Sequence, residues 1–190
     1  MSAFEHVSVL LSFIFALALT HLLSRIATLI LERDRVRFSG LLSLAMFNAI
    51  QVVFGNWIEL WDMRTKQDWS LASILLIFLF STVLYLLCAV CAPERAEHGE
   101  IDMEAFYWKN RRLYYGAFLL LIPLSMTVNA DYLGTRSAGL FVQESLGALL
   151  FLVPALLGFS VRARWAQWTS LITMCGMFAV FNAMFSKVMS

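Results

Sequence analysis

Apolar residues run along this chain in six long blocks, separated by short polar breaks. A helix rises about 1.5 Å per residue, so about 20 mainly apolar residues are needed to cross the hydrocarbon core of a bilayer. The blocks fall at roughly Val7–Leu31, Gly40–Trp61, Trp69–Cys91, Leu113–Leu133, Gly139–Phe159 and Trp165–Ser186, and each meets that length. The breaks are ERDRVRF (32–38), DMRTKQD (62–68), a longer one that opens with APERAEHGEIDME (92–104) and runs to the fourth block, NADYLGTRS (129–137) and SVRAR (160–164). The pattern predicts an all-α fold: one domain, 1–190, built as a polytopic bundle of six transmembrane helices.

Composition strengthens that reading. Hydrophobic residues make up 61% of the 190 residues and charged residues only 14%. A soluble domain has about 25% charged residues and too little polar surface to cover so much apolar area. The 16 Phe and 6 Trp suit a chain whose rings gather at membrane interfaces. A net charge of +1 gives no basic field for nucleic acid. The first block has no basic n-region and is too long for a signal-peptide core, so it is expected to remain as a helix. Cys88, Cys91 and Cys175 all fall in apolar blocks, which argues against a disulfide framework.

Lys and Arg in the breaks set the orientation. Arg33, Arg35, Arg37, Arg95, Lys109, Arg111, Arg112, Arg162 and Arg164 lie in the odd-numbered breaks, whereas Arg64, Lys66, Arg136 and Lys187 lie on the other side. That asymmetry places the odd breaks in the cytoplasm and both termini outside. Within the long break, Asp102 is placed to cap a helix and Glu104 suits its first turn. The aromatic and basic run 102–112, continuing through Tyr114 and Tyr115, reads as a cytoplasmic segment lying at the headgroups before the fourth span.

Polar residues at depth are costly in a membrane and usually face the bundle interior. The first span carries Ser8, Ser12, Ala16, Thr20, Ser24 and Thr28, a small residue at every fourth position. Small residues let helices approach closely, and this row reads as a helix-packing ridge across neighbours. Beside it, His21 and Arg25 sit one turn apart; counted from Leu31 they lie about 15 Å and 9 Å deep. A hydrogen-bonded His with a snorkelling Arg, and a proton-accepting His beside a fixed charge, are both open. Haem ligation finds no second His at matching depth. In the second span Asn48, Gln51, Gly55 and Glu59 share a face, with Asn56 next to it. Glu5, Glu59, Asp131, Glu144 and Asn182 all belong to the outer leaflet, and Gln143 lies beside Glu144. If those carboxylates shared one cavity they would raise each other's pKa or hold a cation, which suits an ion or proton vestibule. The competing reading is separate, hydrated or helix-capping acids. Pro123 and Pro154 lie inside spans and predict kinks. Cys88-x-x-Cys91 on a helix reads as packing thiols, and no metal site, cofactor or catalytic residue is assigned. Neither HExxH, GxSxG nor a P-loop occurs.

The opening FEHVSVLLSFIFALALTHLLSRIATLI and the stretch GEIDMEAFYWKNRRLYYG resemble a group of short bacterial six-helix inner-membrane proteins. The resemblance extends along the whole chain. It implies a bacterial inner-membrane setting and carries no activity. The expected functions are therefore a small proton- or cation-conducting channel or transporter, or a non-catalytic accessory or scaffold subunit of a larger membrane complex or homo-oligomer. An intramembrane enzyme ranks behind both. The lipid bilayer is the expected partner.

Overall fold

A computed structural model of the chain describes residues 3–66, 68–93, 100–133 and 138–186. These fold into helices: α1 (Ala3–Leu31), α2 (Gly40–Glu59), α3 (Leu71–Cys91), α4 (Met103–Leu133), α5 (Ala138–Leu150), α6 (Leu152–Ser160) and α7 (Arg164–Ser186), with two short 3-10 turns in the first two breaks. Four helices are long and apolar enough to cross a membrane: Phe4–Leu31, Gly40–Glu59, Leu71–Val90 and Met103–Tyr132. The fifth apolar block of the sequence is α5 with α6, and the sixth is α7.

Packing partners trace a ring. α1 packs on α3, α3 on α4, α4 on α5 and α6, α6 on α7, α7 on α2, and α2 back on α1. α2 also meets both α3 and α4. Leu22, Ala49, Leu84, Leu87, Cys88, Tyr115, Ala155, Leu171 and Met174 are fully buried where the helices converge. Large apolar side chains such as Phe13, Leu17, Leu71, Leu113 and Val153 face outward. A surface of that kind suits lipid rather than water.

The helix ends have local causes. Ser70 caps α3, its hydroxyl accepting the Ser73 backbone N–H at 3.0 Å. Asp102 caps α4 as its position predicts, accepting the Ala105 N–H at 2.8 Å. α5 stops at Leu150, four residues before Pro154. Proline has no N–H to give the carbonyl at i−4, and its ring presses on that carbonyl, so the ladder breaks there and restarts as α6. Pro123 also removes a donor, yet α4 runs through it unbroken.

One sequence expectation changes here. The segment 102–112 is not a piece separate from the fourth apolar block. From Met103 it is continuous with the fourth span in a single helix of 31 residues. Tyr107, Arg111, Tyr114 and Tyr115 share one face of that helix and are buried within the bundle. Ala105, Lys109, Arg112 and Leu113 turn outward.

Candidate functional site

A buried polar seam runs along α2, α4 and α7, beginning at a knot of charged groups. Two-residue strands from the first and third breaks, β1 (Val36–Arg37) and β2 (Ile101–Asp102), pair in parallel, with Val36 opposite Ile101 and Arg37 opposite Asp102. Arg37 Nη1 donates to Asp102 Oδ2 at 3.0 Å. The N–H of Ala105 and, secondarily, the Arg37 guanidinium hold the Asp102 carboxyl below its ordinary range. Glu104 is the hub. It accepts hydrogen bonds from Ser39 Oγ at 2.8 Å and Trp108 Nε1 at 3.0 Å, and pairs with Arg164 Nη2 at 3.1 Å. One carboxylate thereby ties the starts of α2, α4 and α7 together.

The seam continues inward from that knot. Tyr107 Oη donates to Gln167 Oε1 at 2.7 Å and lies 3.3 Å from Tyr115 Oη. Gln167 Nε2 donates to the carbonyls of Gly158 and Val161 at 3.0 and 2.5 Å. Arg111 Nη1 donates to the carbonyls of Gly158 and Phe159 at 2.8 and 3.0 Å. Ser170 Oγ donates to the Pro154 carbonyl at 2.6 Å. The carbonyls of Gly158, Phe159 and Val161 cluster at the end of α6, where the helix leaves its last C=O groups without intrahelical partners, whereas Pro154 lies in its first turn. Side chains of α4 and α7 therefore do what a C-cap would otherwise do. Gly158 is required for the approach: a Cβ there would stand 2.1 Å from Tyr115 Cζ.

About 15 Å along α4 from Glu104, by helix rise, the seam ends on unsatisfied atoms. Asn48 donates its amide to the Leu171 carbonyl at 3.0 Å. Its amide oxygen faces the Tyr114 hydroxyl, yet the two make no well-formed hydrogen bond, and Gln51 Oε1 is likewise buried without a partner. Buried orphan polar atoms of this kind are uncommon and call for an explanation. A cavity of about 10 Å³, room for one water at most, lies beside the seam between Ala45, Cys91, Tyr107, Arg111 and Tyr114.

At the far end of the bundle, Asp131 is held between α3 and α4. Its carboxylate is ion-paired with Lys66 and accepts the Ser73 hydroxyl at 3.0 Å. Lys66 is almost buried there and lies over the Trp69 ring, 5.4 Å from its centroid. A second cavity of about 10 Å³ adjoins this pair. Asp131 is thus charge-balanced by a cation, a partner the sequence reading did not give it.

The remaining candidates are placed as follows. Glu59 closes α2 and is half-buried, and Glu5 is exposed on the first turn of α1. The side chains of Gln143, Glu144 and Asn182 lie outside the described residues, as do His98, Arg95, Arg136 and Lys187. His21 is half-buried, its ring 6.2 Å from that of Tyr85. Arg25 is half-buried as well, and Asn56 bonds back to the Val52 carbonyl at 2.7 Å. On α1 the buried face is Val7, Leu11, Phe15, Ala18 and Leu22. The small-residue ridge runs beside it: Ser8, Ser12 and Thr28 are half-buried, while Ala16, Thr20 and Ser24 face out of the bundle. The ridge is therefore not the main seam between α1 and the rest of this chain. Cys88 and Cys91 are both buried, with Cys91 Sγ 3.9 Å from the Ala45 carbonyl.

Sequence reasoning took Tyr107, Arg111, Tyr114 and Tyr115 as interfacial and passed over Gln167 and Ser170. A signal was present in the spacing. Positions 107, 111, 114, 115 and 118 recur at three and four residues, which puts them on one helix face. Compared with known proteins, the chain matches no family model, no curated protein and no solved structure.

Proposed function

We propose that this chain is a six-span protein of a bacterial inner membrane, both termini on the non-cytoplasmic side, acting as a non-catalytic accessory or scaffold subunit that assembles through α1. The exposed small-residue ridge carries this reading. Ala16, Thr20 and Ser24 face away from the bundle in an otherwise bulky apolar surface flanked by Phe13, Leu17 and Leu23. Within a bilayer, helices associate by close van der Waals approach, and rows of small residues allow it. A second helix seated on this row would come from another copy or another subunit. The Lys66–Asp131 pair supports the same reading, since a neutralised acid is a tie between helices rather than an open cation ligand. Molar mass by light scattering in mild detergent tests it. A wild-type assembly larger than one chain, reduced by Ala16→Leu with Thr20→Leu, is expected. A wild-type monomer with no co-purifying chain overturns it.

A specific observation favours a second reading, proton conduction. The seam carries polar side chains from the cytoplasmic knot to mid-depth and ends on the unpartnered oxygens of Asn48, Gln51 and Tyr114. Hydroxyls and amides bridged by single waters form proton relays in principle. Proton uptake by proteoliposomes, lost in Asn48→Leu, would favour this reading; sealed vesicles that hold a pH gradient as well as protein-free ones would remove it.

A further inference from the structure

The seam contains a cation that no carboxylate among the described residues pairs with. Arg111 is only 5% exposed. Its recorded hydrogen bonds run from Nη1 alone, to two neutral carbonyls. No carboxylate among the described residues bonds to it, and the guanidiniums of Arg112 and Arg162 repel it. Those two side chains are exposed and also lack an acidic partner among the described residues. Both nearby acids are engaged elsewhere, Glu104 with Arg164 and Asp102 with Arg37. Burying an ionised guanidinium without a counter-charge is expensive, and three cations in one place compound the cost.

We propose that Arg111, Arg112 and Arg162 together bind the phosphate of an anionic phospholipid headgroup beside the α6–α7 turn. Arg111 is oriented for this by its two carbonyl bonds, which fix one edge of the guanidinium and leave its remaining N–H groups to a ligand. A guanidinium fork suits phosphate oxygens. The surroundings favour a lipid over a free anion. Leu113, next to Arg112, and Trp165, three residues after Arg162, are exposed apolar side chains, and they offer a surface for acyl chains next to the charge. A tryptophan at the polar–apolar boundary is typical of headgroup level. The inference rests on the membrane reading above, in which this end faces the anionic cytoplasmic leaflet.

The test uses the full chain and two measurements. Carbonate-washed vesicles of phosphatidylcholine first report whether the protein is integral. Native mass spectrometry of detergent-solubilised protein then compares binding of phosphatidylglycerol and phosphatidylcholine, with inorganic phosphate as a separate arm. Selective phosphatidylglycerol binding is expected. Arg112→Gln with Arg162→Gln, both at exposed positions, should weaken it about 30-fold, the loss expected for two basic residues at a membrane surface. Arg111→Lys keeps the charge but loses the fork, and should weaken it about 10-fold. Equal binding of the two lipids, or binding unchanged in the double variant, overturns the proposal. Protection by inorganic phosphate alone, without lipid preference, also overturns it in favour of a free-anion site. Release of the protein from washed vesicles would instead sink the membrane reading itself.

Discussion

Replacing Gly158 with alanine adds one methyl group at the narrowest crossing of the seam. The new Cβ would lie 2.1, 2.3 and 2.5 Å from three carbons of the Tyr115 ring, where ordinary contact begins near 3.4 Å. The ring must retreat by more than 1 Å or α6 must move away. Neither is easy. Tyr115 is fully buried and its hydroxyl is 3.3 Å from that of Tyr107, while the Gly158 carbonyl accepts from both Arg111 and Gln167. Overpacking of this kind costs about 1–3 kcal/mol, and the size of the overlap places this case near the upper end. Alanine recovers about 1 kcal/mol of helix propensity over glycine. The net is a loss of about 2 kcal/mol, or about 4–8 °C in melting temperature for a chain of this size. Thermal unfolding in mild detergent, followed by tryptophan fluorescence, reads it. Gly147→Ala and Gly176→Ala are the controls, since a Cβ at either meets nothing within 4 Å. They should be neutral or stabilising by up to about 1 kcal/mol. On a Tyr115→Ala background, Gly158→Ala should lose its penalty. If Gly158→Ala melts at or above Gly176→Ala, the close ring-on-glycine packing is refuted.

Other expectations follow from the same contacts. Asp131→Asn removes the partner of a nearly buried Lys66 and should cost about 1–2 kcal/mol, discounted because the carboxylate itself is partly exposed; Lys66→Met on that background should restore part of the loss in the same melting assay. Gln167→Leu removes the better acceptor of the Tyr107 hydroxyl and strands the carbonyl of Val161, and should cost about 2 kcal/mol, seen as a lower melting temperature. The Asp102 carboxyl is held below its ordinary value of 3.8, so its contribution is fully present above that pH and fades as pH falls through the lower folded value. Melting curves of the wild type and Asp102→Asn should therefore differ above about pH 4 and converge below it; a gap that widens on acidification would contradict the cap and ion pair.

Where the helices lie was legible in the sequence because polar breaks fix where an apolar helix ends; among the described residues four of them are long and apolar enough to cross a membrane. The Asp102 cap was legible too, because its chemistry is local. Pairings between distant segments were not. Asp131 and Lys66 are 65 residues apart, and each looks like an independent boundary residue when read singly. Arg111 was misplaced for a related reason. A basic, aromatic stretch at a span boundary has the composition of a headgroup segment, and composition does not register that the helix starts two turns before Arg111 and carries it inward. Its spacing with Tyr107 and Tyr115 held that information, but only a neighbouring helix end with unpaired carbonyls makes burial of that face favourable. Gln167 and Ser170 are ordinary polar residues in an apolar block until those carbonyls are opposite them.

The break at Phe151 explains how so polar a seam fits an apolar bundle. An unbroken fifth helix would keep one direction throughout, and its carbonyls would be spent on its own ladder. Pro154 ends α5 four residues earlier, so α6 restarts as a nine-residue helix with its own partners. α5 packs chiefly on α4, whereas α6 lies between α4 and α7. A helix that short leaves nearly half of its carbonyls in its last turn, without internal donors. Tyr115 rests on Gly158, which lets α4 come close enough for Arg111 to reach those carbonyls, while Gln167 reaches them from α7 and Ser170 bonds the Pro154 carbonyl at the start of α6. The proline, the glycine and the three donors are thus one device, since each is costly in a membrane helix without the others. Arg111 alone carries a charge beyond what the device needs, as Gln167 already donates to the same Gly158 carbonyl, and that surplus charge is what a lipid phosphate would balance.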